Sequence, residues 1–222
     1  MTLALKSDLY FCLSNDKAVF LDLTADRYFC LPPELEPGFS KLFKGTETQD
    51  NRDENFAALM ATGLFIPSDQ PFSLLPAANC ITPTRSAVES RFHDWSFGTV
   101  VLAGVSQLVT TCHLRFVTLA SVVTRLRRKK ERAQKPVSDL SAAQTRRLHT
   151  FLAMRRLIPA QNRCLQRSIA LFEFLASAGI CPTLVIGVRM QPFAAHAWLQ
   201  AGDLVLNDYV DEVRLYTPIL VI

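Results

Sequence analysis

The order of apolar and polar positions divides the chain into two patterned stretches. Leu9 to Leu13, Ala18 to Leu23 and Tyr28 to Leu31 are short β-favouring runs. Ser14-Asn15-Asp16 and Thr24-Ala25-Asp26 separate them with residues that suit turns. A short helix is expected around Phe39 to Phe43. A second runs from about Asn51 to Ala61, carries Phe56, Leu59 and Met60, and stops at Gly63 as the C′ residue. Pro67, Pro71, Pro76 and Pro83 follow among Ser, Asn and Thr. Such proline density sustains neither a helix nor a central strand, so residues 67–85 read as a linker.

The remainder begins helical. Trp95 to Arg128 predicts one long or two shorter apolar helices. Its uncharged stretch, Ser96 to Cys112, is 17 residues. A membrane span needs about 20 apolar residues, so a buried helix is expected. Ser141-Ala-Ala-Gln144 is a capping box opening a helix to about Leu157. Another helix runs from about Asn162 to Ala178 and stops at Gly179. Three β runs close the chain: Thr183 to Met190, Ala195 to Gln200 and Leu204 to Tyr209.

Composition narrows the class. The 222 residues are 49% hydrophobic and 20% charged, which is globular and argues against disorder. The net charge of +4 is too small to imply a nucleic-acid partner. The excess sits in one run, Arg125, Arg127, Arg128, Lys129, Lys130 and Arg132. The first ten residues lack the apolar core of a secretory signal. Six scattered cysteines (12, 30, 80, 112, 164 and 181) show no zinc spacing. A reducing cytoplasm is therefore expected, with no metal and no cofactor. No GxxxxGK[ST] motif supports an ATP site.

Three residues can do chemistry together. Cys164 falls in the first turn of its expected helix, where unpaired N–H groups and the macrodipole favour a thiolate. Taken alone it reads as an inert buried thiol. His196 lies in a run with no other polar side chain before Gln200, and alone it reads as a core histidine. A cysteine at a helix start, a histidine on one strand and an acid on the next supply nucleophile, base and orienting group in order. Asp208 is the best acid. With Ala201-Gly202-Asp203 as a three-residue hairpin loop, Gln200 faces Leu204 and His196 faces Asp208. A two-residue loop would move Asp208 to the other face. Asn207 alternates away, Asp203 suits the turn, and Asp211 and Glu212 read as solvated surface. The oxyanion would take the Cys164 N–H, with a side-chain amide from Gln161 or Asn162 as the second donor. The other five cysteines have no comparable company.

At these residues the chain resembles the B protein of lasso-peptide biosynthesis, in the fused form where a recognition domain precedes the peptidase. The match is carried by Asn162-Arg-Cys164-Leu, Leu184-Val-Ile-Gly187-Val-Arg189-Met-Gln191-Pro192-Phe193, His196-Ala-Trp198 and Val205-Leu-Asn207-Asp208. The resemblance implies Cys164 as nucleophile, His196 as base and Asp208 as third member. Residues 1–66 resemble the PqqD-like leader-recognition element through the Asp22 to Phe29 hairpin and the Gly63-Leu64-Phe65 ending. The implied fold class is α+β: a small winged-helix-like (PqqD-like) domain over 1–66, the linker, then a papain/transglutaminase-like cysteine peptidase domain over 86–222, helices first and an antiparallel sheet after.

The implied function is removal of the leader peptide from a lasso-peptide precursor before an asparagine-synthetase-like cyclase closes the ring. The precursor and that cyclase are the implied partners, and membrane contact is not favoured. The leader would add a strand beside Arg27, Tyr28 and Phe29 and bury apolar groups against Phe56, Leu59 and Met60. Those last three also read as plain core. Two alternatives use the same sequence differently: an acyltransferase or transglutaminase with the same triad, or a non-catalytic peptide-binding scaffold.

Overall fold

The computed structural model describes residues 2–44, 54, 57–68, 80–89, 97–133, 137–154 and 163–222. The chain divides into two compact units, Met1–Ala78 and Asn79–Ile222.

In the first unit, β2 (Leu9–Ser14), β3 (Lys17–Asp22) and β4 (Arg27–Cys30) form an antiparallel sheet in that order. The β2–β3 turn is the two residues Asn15 and Asp16, with φ of 52° and 59°. Paired positive φ values match the strand twist, and Asn and Asp tolerate them. Asp22 holds the next turn by accepting from the Thr24 and Ala25 N–H groups at 3.0 and 2.9 Å. One helix, α1 (Glu36–Lys44), and helical residues 57–61 supply further cover. Phe11, Phe20, Phe39 and Phe65 meet in the core with Leu9, Leu31 and Leu59.

In this unit two strands escape the sequence reading. β1 (Thr2–Leu5) pairs with β5 (Phe65–Ser68), and Pro67 sits opposite Leu3. The expected linker therefore starts inside a strand: a two-stranded ribbon has outer edges where a proline costs no ladder bond. Its far end is also structured, because β6 (Arg85–Ser86) pairs with the C-terminal sheet. Between these ends, residues 69–79 lie outside the described part.

The second unit is a five-stranded sheet, ordered β10-β7-β8-β9-β6, with helices packed on it. Its strands are β7 (Thr183–Met190), β8 (Phe193–Ala201), β9 (Leu204–Val205) and β10 (Thr217–Val221), with β6 at one edge. The expectation of an antiparallel sheet needs one correction, since β6 runs parallel to β9. Residues Leu184 to Val188 and Ala197 to Ala201 are all buried, so both faces of the central pair are covered.

Apolar Trp95 to Arg128 resolves into α2 (Phe97–Phe116) and α3 (Leu119–Arg132), separated where Thr118 caps α3 by accepting from the Ser121 N–H. The expected burial of Ser96 to Cys112 is overturned. Only Ala103 and Thr110 of α2 are buried, while Val101, Val105, Leu108 and Val109 are exposed. Packing covers one side of α2, where it meets α4 (Ala142–Met154) and α5 (Cys164–Ala176). By length and composition α2 could cross a membrane. The capping box forms as expected: Ser141 N–H donates to Gln144 Oε1 at 2.8 Å, and Gln144 N–H to Ser141 Oγ at 3.4 Å.

Part of the basic run is structural. Arg125 Nη2 lies 3.0 Å from Glu173 Oε1 on α5, Lys129 pairs with the same carboxylate, and Lys130 donates to Thr183 Oγ1 at 2.8 Å. Three cations of α3 thus tie it to α5 and to the first residue of β7.

Candidate active site

Cys164 opens α5. Its N-cap residue, Arg163, makes no side-chain cap, so the first N–H groups of α5 are available to a ligand or to the thiolate. Burial pushes the Cys164 thiol up. The hydrogen bond and charge of His196, with backbone hydrogen bonds from Ala197 and Leu165, outweigh this and leave the pKa below 9.0. His196 answers in the other direction. Burial pulls the imidazole down, but bonds and charges from Asp208 and Cys164 raise it from 6.5 to about 9. The two shifts favour a thiolate facing an imidazolium.

Asp208 Oδ2 meets His196 Nε2 at 2.7 Å, which leaves Nδ1 as the nitrogen for the thiol side. The route to this contact differs from the expected one. Ala201 pairs with Leu204 and Gln200 with Val205, so the turn is the two residues Gly202 and Asp203. Gly202 supplies the φ of +58° that the turn needs, and a Cβ there would meet Ser138 O at 2.9 Å. This register would send a continued strand the wrong way. The strand instead ends at Val205, and residues 206–208 bend. Asp208 reaches His196 through that bend, and its Oδ1 accepts from the Tyr209 N–H at 2.9 Å.

A buried polar network links the three elements. Ser168, one turn beyond Cys164 and wholly buried, donates to Ala197 O at 2.9 Å. Asn207 Nδ2 donates to Ser168 Oγ at 2.9 Å, and Asn207 Oδ1 accepts from the Leu199 N–H at 2.8 Å. Each bond touches a residue on the element that carries Cys164, His196 or Asp208: α5, β8, or the bend beside Asp208. Asn207 was expected to point away from the site on a strand. The bend turns it into a tie between strand and helix.

Aromatic rings frame His196. Trp198 and Tyr216 lie 6.1 and 5.1 Å from the His196 ring, centroid to centroid. Gly187 is paired with His196 across the ladder, and a Cβ there would stand 2.9 Å from both Trp198 Cζ3 and Tyr216 Cβ. Only glycine lets both rings close in. Trp198 Nε1 donates to the buried Gln200 Oε1 at 2.8 Å, so the indole is satisfied.

A cleft of about 570 Å³ opens over this site, within the range of small-ligand and peptide pockets. Cys164, His196 and Asp208 line it with Gln107, Arg163, Arg167, Arg189 and Tyr216. Sequence reasoning missed Ser168, Arg189 and Tyr216 as parts of the site. Arg189 stood in the Gly187-Val-Arg189 signature, whereas Tyr216 precedes a strand that carried no recognised pattern.

The remaining expected residues fall elsewhere. Gln161, Asn162 and Phe56 lie outside the described residues. Arg27 is exposed on β4, an outer strand of its sheet, and its guanidinium lies 5.4 Å from the Phe29 ring centre. Tyr28 and Phe29 are half-buried, and Phe29 stacks on Phe20 at 5.3 Å. Leu59 is 1% exposed and belongs to the core, so it offers no surface to a peptide. Met60 is half-buried against the same core. Asp203 binds Arg85, at 2.7 Å, and Thr84; Glu212 accepts from Tyr216 Oη at 3.2 Å.

A profile of the transglutaminase-like superfamily matches residues 106–221, which include Cys164, His196 and Asp208. Over 48 residues the chain is 51% identical to the microcin J25-processing protein McjB of Escherichia coli. That alignment covers 22% of this chain and 23% of the relative, so under a quarter of its length. No solved structure matches. These matches agree with the resemblance to lasso-peptide B proteins; the family match does not extend to residues 1–66, and the PqqD-like reading gains nothing from it.

Proposed function

The chain belongs to the transglutaminase-like superfamily, and from that premise we propose that it is a cysteine peptidase removing the leader peptide from a lasso-peptide precursor. The observation that carries the reading is the join of Cys164, at an uncapped helix start, to a His196 that Asp208 holds at 2.7 Å. McjB is named for processing a peptide, microcin J25, which supplies the substrate class.

In this mechanism the Cys164 thiolate attacks the carbonyl carbon of the scissile amide. The S–C bond forms as the carbonyl π pair moves to oxygen, and the helix-start N–H groups receive that oxyanion. The imidazolium gives its Nδ1 proton to the leaving amine, the C–N bond breaks, and a thioester remains. Nδ1 then takes a proton from water as it attacks the thioester. Collapse of the second oxyanion releases the carboxylic acid and restores the thiolate–imidazolium pair. Asp208 keeps Nε2 protonated and the ring oriented throughout.

Leader capture belongs to the first unit in this reading, by strand addition to the β4 edge at Arg27 to Phe29. A PqqD-like winged helix over residues 1–66, an asparagine-synthetase-like cyclase as the next partner, and a cytoplasmic setting complete the proposal. The test is incubation with a leader-bearing precursor, with and without a primary amine, followed by mass spectrometry. Free acid at the leader C-terminus is the expected product. An amide of the added amine would make the protein an acyltransferase, and no turnover by a protein that binds the leader would make it a scaffold.

A further inference from the structure

Three guanidinium groups line the cleft beside the proposed reacting residues. Arg163, Arg167 and Arg189 line it, and Asp208 is the one carboxylate among the described lining residues. That carboxylate is committed to His196. With His196 protonated and Cys164 a thiolate, four cationic groups in the lining face two anionic ones.

Arg189 is the best placed of the three. It pairs with Ala194 in the β7–β8 ladder, while Gly187, two residues earlier, pairs with His196. Arg189 and His196 therefore project from the same face of the sheet. Its guanidinium lies over the Tyr216 ring at 5.3 Å, and the His196 ring meets that same ring at 5.1 Å. Arg189 Nε is buried with no hydrogen-bond partner, and Arg189 forms no ion pair among the described residues. A buried guanidinium nitrogen without an acceptor is costly unless a ligand supplies one. The ladder partner of Arg189 on that face, Ala194, presents only a methyl group to the cleft.

We infer that the cleft holds a carboxylate-binding subsite centred on Arg189, so that the segment bound beside Cys164 carries an acidic group close to the reacting carbonyl. Guanidinium and carboxylate match as a planar fork and a planar acceptor, which a lysine could not reproduce. The inference deepens the peptidase reading by naming what the substrate presents. The carboxylate is either an Asp or Glu side chain or a terminal carboxylate.

Alkylation of Cys164 tests the subsite without any substrate turnover. Iodoacetate and iodoacetamide both form an S–C bond with loss of iodide and differ in charge. The ratio of their rates, followed by intact-protein mass spectrometry, should fall about three- to tenfold in Arg189→Gln. That is the scale of one unit charge several ångströms away between protein-surface and aqueous screening. The His196 imidazolium contributes equally in both proteins and cancels. Arg189→Lys should retain part of the preference, and added salt should reduce it in the wild type. An equal ratio in wild type and Arg189→Gln overturns the subsite.

Should Arg189→Gln not fold, wild-type protein labelled with peptidyl vinyl sulfones decides. Probes that exchange Asp for Asn should label Cys164 faster with Asp if the ligand is a side chain. Preference for a free-acid over an amidated terminus would assign a terminal carboxylate. No preference in either set overturns the inference. Because labelling needs only the thiol, a failed peptidase reading would show separately, as absent precursor cleavage.

Discussion

Removing one hydroxyl, Ser168→Ala, should uncouple the three elements that hold the proposed triad. Ser168 is wholly buried, donating to Ala197 O and accepting from Asn207 Nδ2, both at 2.9 Å. The substitution takes a donor from a buried carbonyl and an acceptor from a carboxamide at once. A buried partner left short costs about 1–3 kcal/mol. For a chain of this size each kcal/mol lowers Tm by roughly 2–4 °C, which makes the loss easy to see. The effect on chemistry should be disproportionate. Ala197 follows His196, Asn207 precedes Asp208, and Ser168 lies one turn from Cys164, so a small shift reaches all three. Displacement on the order of 1 Å costs up to about a hundredfold in rate.

The assay is kcat/KM for precursor cleavage across pH, measured well below Tm, beside thermal unfolding. Loosening the His196–Asp208 contact should also draw the alkaline limb toward neutral pH, which mere loss of stability would not do. Asn207→Ala should behave similarly, and the double variant should fall well short of additivity because both share one bond. Wild-type kcat/KM and an unmoved pH profile in a destabilised Ser168→Ala would refute the positioning argument.

Cys164→Ala should abolish cleavage while leaving leader binding measurable by fluorescence anisotropy; turnover by this variant would end the cysteine mechanism. His196→Ala should raise the pKa of Cys164, since His196 is the main group lowering it, and iodoacetamide titration would show the shift. Wild-type activity should require Cys164 deprotonated and His196 protonated, so it should rise as pH passes the lowered thiol pKa and fall near the His196 value of about 9. In Asp208→Asn the alkaline limb should move down, because the carboxylate that raises the imidazole is gone; an unmoved limb would count against the pairing. Gly187→Ala should cost about 1–3 kcal/mol by overpacking, read as a lower Tm, because a Cβ would stand 2.9 Å from Trp198 and Tyr216.

Local chemistry was legible in the sequence and tertiary cover was not. Turn residues located β2, β3 and β4 because Asn15-Asp16 and the Asp22 side chain act within a few residues. The capping box placed the start of α4 for the same reason. The outer faces of α2 could not be read this way. An apolar helix looks identical in sequence whether another element covers it or not, and α2 has exposed Val101, Leu108 and Val109 where burial was expected. Strands β1, β5 and β10 were likewise invisible. Each is short, and each is fixed by a partner far along the chain.

Asp208 meets His196 by a route that the alternation of a regular hairpin does not describe. On a regular ladder a three-residue loop places Asp208 opposite His196, and a two-residue loop places it on the other face. The chain adopts the two-residue turn that Gly202 permits, and it then abandons the ladder after Val205. What drives the bend is visible only in three dimensions. Leu206 N–H still donates to Leu199 O at 2.8 Å, but the Leu199 N–H goes to the Asn207 side chain instead of back to the Leu206 carbonyl. That substitution ends backbone pairing while keeping Leu199 satisfied, and it frees residues 206–208 to turn Asp208 toward His196 at 2.7 Å. Asn207 thus does two things the alternation rule could not express. It terminates β9, and through Ser168 it fixes the bend to the helix that carries Cys164. An acid directly opposite His196 would have been enough for a regular hairpin; here the pairing depends on the residue just before it.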